Sequence, residues 1–142
     1  MKCRQLGATA VEFALVLVLF LTFMLGITDF SRMLYTWNAA NEATRAGARY
    51  AAVCDSTGNA SQVLGKMQAL LPQIQTINLA WDPVGCDPTS CVGVNVTIEN
   101  MTYRWISPIS GIARLADIPM PTFSTYLTRE AMRQDPHSGD IC

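Results

Sequence analysis

The side chains able to do chemistry are few: five cysteines, one histidine, and a glutamate set against an apolar run. Cys3 stands ahead of that run, whereas Cys54, Cys86, Cys91 and Cys142 all follow it. Four thiols on one side can make two disulfides or a four-thiolate zinc site. An even set beyond the run suits disulfides in an oxidising compartment. Four cysteines allow three connectivities; closeness in sequence favours Cys86 with Cys91, which leaves Cys54 for Cys142. The zinc alternative needs all four to converge, and the outward topology disfavours it. His137, the single histidine, lies in a polar tail, too little for a histidine triad or a multi-histidine metal site. No glycine-rich phosphate loop appears, and Glu12 is the lone carboxylate in an apolar setting. The expectation is a protein without enzymatic activity and without a cofactor.

Glu12 follows Gly7 by five residues and opens onto residues 13–28, sixteen positions without a charge. As a helix these rise about 24 Å, short of the roughly 30 Å hydrocarbon core of a bilayer. Adding residues 8–11 brings the helix near the needed length and places Glu12 about one turn inside the boundary. An ionised carboxylate there costs on the order of 2–3 kcal/mol unless it is paired or protonated. Snorkelling to the interface is the plainer alternative. Lys2 and Arg4 precede the run and only Asp29 and Arg32 follow closely, so the positive-inside bias puts the N-terminus in the cytoplasm and the bulk of the chain outside. A cleaved secretory signal is disfavoured, because Gly26-Ile27-Thr28 is the nearest approach to a small-x-small site and ends poorly. A retained single-pass anchor is expected.

The totals fit that picture. At 142 residues one domain is the natural count, and fewer than ninety residues remain beyond Cys54. A soluble core of that size is small and gains from a disulfide. A net charge of −1 offers no basic face for nucleic acid.

The stretch Gly7-Ala8-Thr9-Ala10-Val11-Glu12-Phe13 is similar to the processing site of type IV pilin-like proteins. Nearly all of residues 7–52 resembles the N-terminal signature of TadE-like proteins, pseudopilins of the tight-adherence (Flp) pilus system. The marks are the Ala10-Val11-Glu12-Phe13-Ala14 start, Asp29-Phe30-Ser31-Arg32 after the run, and Ala43-Thr44-Arg45-Ala46-Gly47-Ala48-Arg49-Tyr50. Most members carry a proline within the apolar run, where this chain has Val18. The resemblance implies a prepilin peptidase that cuts after Gly7 and frees the α-amine of Ala8. It gives Glu12, with Phe13 beside it, a part in recognition and assembly, the carboxylate neutralising a neighbouring subunit's amine. It implies as partners other pilin and pseudopilin subunits, met through the N-terminal helix, an inner-membrane assembly platform, and membrane lipid. The location it implies is the bacterial inner membrane, with the C-terminal domain outside. Against that pseudopilin or minor pilin stands a second class: a permanently anchored protein whose exported domain binds a ligand or protein, with Glu12 incidental.

The elements that carry these residues can be read in order. A leader of residues 1–7 precedes a transmembrane helix over 8–28, then an exposed continuation of the same helix over 29–54. On the continuation, Asp29 and Arg32, like Glu42 and Arg45, are three apart and able to pair on the surface. Ala39, Ala43 and Gly47 recur every fourth residue as a shallow strip for another helix or for the chain's own sheet. After a break at 55–59, a second helix spans about 60–71, with Val63, Leu64, Met67, Leu70 and Leu71 on one face. Residues 76–81 alternate as a strand, and 92–98 alternate more cleanly. Beyond 98 the apolar phase slips to Met101, Tyr103 and Trp105, which a bulge near Glu99 or Asn100 would accommodate. Residues 106–121 read as a loop with at most one short helical turn; 122–133 fits a last strand or, at its 129–133 end, a helix, and the resemblance implies the strand. Three N-glycosylation triplets, at Asn59, Asn95 and Asn100, would be silent in a bacterium. The fold class expected is α+β: a long N-terminal helix extending into a domain, 55–142, of a short helix and a small antiparallel sheet.

Overall fold

A computed structural model describes residues 6–54, 60–86, 90–107, 111 and 116–129. Its elements are α1 (Leu6–Val53), α2 (Ala60–Leu70), β1 (Thr76–Asp82), β2 (Gly93–Glu99), β3 (Thr102–Tyr103), β4 (Ile118–Pro119) and β5 (Phe123–Thr128). The fold is α+β, with a long apolar N-terminal helix, a second short helix and small antiparallel sheets. Two compact units divide it: Met1–Leu34 with Arg104–Asp117, and Tyr35–Tyr103 with Ile118–Cys142. Helix α1 contributes its first part to one unit and its second to the other. No proline interrupts its 48 residues, so no backbone donor is missing inside it.

The second unit is organised by β2. This central strand pairs antiparallel with β1 (Thr76 opposite Glu99, Asp82 opposite Gly93) and with β5 (Gly93 opposite Thr128, Ile98 opposite Phe123). Strict alternation sends Val94, Val96 and Ile98 to one face, where all three are fully buried. Ile77, Leu79 and Trp81 of β1 and Phe123 and Leu127 of β5 share that face by register. Each fully buried aliphatic side chain there contributes about 1.5–3 kcal/mol through area removed from water.

The continuation of α1, expected to be exposed, is covered on one side. Ala40, Ala43, Thr44, Gly47, Ala48, Ala51 and Ala52 are buried, at the i, i+3, i+4 spacing of a single helical face. The small-residue strip therefore meets the chain's own sheet and α2. Trp37 packs edge-on against Phe123 with ring centroids 5.2 Å apart, and the Thr44 and Thr125 hydroxyls are 2.9 Å apart. Helix α2 lays Val63 and Met67 onto the same core. Leu70, expected on that face, stays half exposed, because the chain turns there and Leu71 and Ile74 take the buried positions.

The phase slip after β2 is real, but its cause is not a bulge within one strand. Asn100 takes a left-handed conformation, φ 54°, which asparagine tolerates better than most residues. The chain thereby leaves the first sheet and starts β3 in a second one, pairing with β4 through Thr102–Pro119 and Tyr103–Ile118. Strand β4 lies inside the stretch read as loop. Two residues, one of them proline, carry no alternation that a sequence could display. The last strand falls within the expected segment, at Phe123–Thr128; residues 130–133 lie outside the described residues.

On the opposite face of the main sheet, Tyr126 crosses over Gly93 and donates to Asp82 at 3.3 Å. A Cβ on Gly93 would collide with the Tyr126 hydroxyl, so a larger residue there would displace the half-exposed Tyr126 ring from Asp82. Desolvation, helped by the Asp82 carboxylate, holds the Tyr126 hydroxyl above the usual phenol range and keeps it a donor.

Candidate functional site

Residues 7–28 form the uncovered part of α1. Every one of them is exposed. Large apolar side chains dominate, with Phe13 at 69% and Phe23 at 72% of full exposure. The helix is long and apolar enough to cross a membrane, and its most apolar window is unburied. A single helix of this kind fits a single-pass membrane protein. Two of its threonine hydroxyls are turned inward. Thr22 donates to the Val18 carbonyl at 2.8 Å and Thr28 to the Leu25 carbonyl at 2.8 Å, so neither hydroxyl faces lipid with an idle proton.

Gly7, Ala8, Glu12 and Phe13 lie together in the first two turns of this exposed stretch. A Cβ on Gly7 would meet nothing within 4 Å among the described residues. Among the described residues Glu12 forms no ion pair, and its side chain lies on an exposed apolar surface.

Of the cysteines, Cys86 and Cys91 form a disulfide with Cα atoms 5.1 Å apart, closing the loop between β1 and β2. Cys54 is also disulfide-bonded; Cys142, the partner expected for it, lies outside the described residues, as does His137. Among the described residues no three metal-ligating side chains come together.

Asp29 makes the expected pair with Arg32, at 4.0 Å, but its side chain is buried rather than on the surface, a setting that sequence reasoning missed. Its two oxygens accept hydrogen bonds from the backbone amides of Ile106 at 3.3 Å and Ser107 at 3.1 Å, within the first unit. A hydrogen bond from the Ser107 side chain, followed by the two amides and the Arg32 charge, lowers its pKa below the ordinary value, outweighing desolvation. Because the folded value is depressed, the stabilisation is present above roughly pH 4, the unfolded range, and is lost as pH falls through the folded value. Hydrogen exchange will therefore show the Ile106 and Ser107 amides protected at neutral pH and released in acid. Asp29→Asn will weaken that protection and remove its pH dependence.

The family model described as TadE-like protein matches residues 7–49. That segment is TadE-like. The match begins at Gly7, takes in the whole exposed apolar stretch, and ends within the buried small-residue face. No curated protein and no solved structure matches the chain. Asp29 thus lies inside the TadE-like segment, while the amides it holds come from far beyond it.

Proposed function

We propose that the chain is a pseudopilin, or minor pilin, that takes part in assembling a tight-adherence pilus. A prepilin peptidase removes the leader, residues 1–7, on the cytoplasmic side of the bacterial inner membrane. The product begins at Ala8, with Glu12 as its fifth residue. The helix then joins other pilin-like subunits side by side, guided by an assembly platform in the same membrane, and the domain beyond it stays outside.

One observation carries this reading: the TadE-like match starts at Gly7 and runs first along a stretch of helix, residues 7–28, whose apolar surface is uncovered among the described residues. An apolar helix bearing one carboxylate, and continuing directly into a folded domain, suits a subunit that first rests in lipid and later packs among like helices. A buried charge pair in such a bundle contributes more to register than to stability.

Intact mass tests it. Protein recovered from membranes of cells that make the peptidase will have lost residues 1–7 and will begin at Ala8. Cells lacking the peptidase will yield the full chain. An intact leader in cells that assemble pili would overturn the proposal and favour a permanently anchored binding module.

A further inference from the structure

We infer that Trp105 and Ile106 form a second contact with the membrane, resting at the lipid headgroup boundary where Asp29 holds them. The inference rests on residues 8–28 being a span and is independent of cleavage at Gly7.

Depth comes first. A hydrocarbon core of about 30 Å takes roughly twenty helical residues, so a span starting at Ala8 ends close to Ile27. Asp29 then sits at the boundary on the outer side. Its carboxylate grips the amides of Ile106 and Ser107 at 3.3 and 3.1 Å, which brings that segment to the same level. Both partners belong to one compact unit.

The chemistry at this level is that of an interface. Ile106 is 67% exposed, and Phe30, next to Asp29 on α1, is 56% exposed. These apolar side chains are continuous in sequence or by hydrogen bond with the exposed span. The Trp105 indole and the Asp29 carboxylate beside them are already engaged. The Trp105 indole N–H donates to the Ala116 carbonyl at 3.1 Å, and Asp29 is occupied by backbone amides. The ring can therefore enter the headgroup region without stranding its donor, which removes the main cost of placing tryptophan there. Tryptophan is the side chain most favoured at that depth. The occupant of this surface is bilayer lipid, continuous with the lipid around the span.

The test uses the full chain reconstituted in phosphatidylcholine vesicles whose acyl chains are brominated close to the headgroup. Flotation of the vesicles checks the span separately. Tryptophan emission will be quenched, and Trp105→Phe, made in the otherwise unaltered chain, will remove at least half of the quenchable component. Asp29→Ala will reduce that component as well, because the tether is gone. Quenching that Trp105→Phe leaves unchanged, in protein that floats, overturns the contact; quenching unchanged in Asp29→Ala overturns the tether. Protein that fails to float overturns the span and the inference with it.

Discussion

Replacing Glu12 with alanine will keep the subunit in the membrane and out of the assembled fibre. The two effects have opposite signs, which makes the experiment decisive. In a lone span the carboxylate is a burden on the order of 2–3 kcal/mol one turn inside the boundary, so its removal makes insertion easier. On the proposed function, in a bundle of processed helices the same carboxylate would face a neighbour's α-amine. Removing it strands that amine in a dry environment, at about 3–5 kcal/mol, a loss of roughly two to four orders of magnitude in pairing. Alkaline extraction will find Glu12→Ala in the membrane fraction as firmly as the unaltered chain. Sheared fibres will contain little or none of it. Glu12→Gln separates charge from hydrogen bonding: it too will fail if neutralising the amine is the task. Normal incorporation of Glu12→Ala would show that the carboxylate has no part in register and merely sits at the interface.

The parts of this molecule that announce themselves in sequence are those set by local periodicity. Residues 13–28 advertise a span because they lack charge, and Val94, Val96 and Ile98 advertise a half-buried strand because they alternate. The small-residue strip on α1 was legible as a packing face, but its partner was open, since alanines fit a neighbouring helix or a sheet equally well. Asp29 was not legible, because the groups it binds are backbone amides 77 and 78 residues away, and an amide has no sequence signature. Asn100 shows the same gap differently. A parity change from Ile98 to Met101 reports that something intervenes, yet a bulge and a change of sheet produce the same pattern. The candidate site divides along these lines. Glu12 stands out by charge against an apolar ground, whereas Gly7 acquires meaning only from the resemblance of residues 7–49.

Gly47→Leu will destabilise the domain that α1 shares with α2 by several kcal/mol, and the smaller change Gly47→Ala will reveal why. A Cβ at Gly47 would lie 2.6 Å from Met67 Sδ, 2.8 Å from Met67 Cγ and 3.4 Å from Val63 Cγ1. Met67 is fully buried, so its thioether has no solvent to swing into. Two effects then compete in Gly47→Ala. Helix propensity favours alanine over glycine by about 1 kcal/mol, while overpacking a filled core costs about 1–3 kcal/mol. The net expectation is a modest loss, measurable by urea unfolding of the full chain in detergent. Because a domain of this size has only some 5–10 kcal/mol to lose, leucine, adding three more carbons at the same point, removes much of it. A double-mutant cycle assigns the cause. Met67→Ala alone will cost about 2–5 kcal/mol through the cavity it leaves. Combined with Gly47→Ala it will cost less than the sum, since the new methyl fills the vacated space, a coupling of about 0.5–3 kcal/mol. If Gly47→Ala instead stabilises by the full propensity term and the cycle shows no coupling, the helices do not meet at Gly47. The glycine in the TadE-like segment would then need another explanation than close approach.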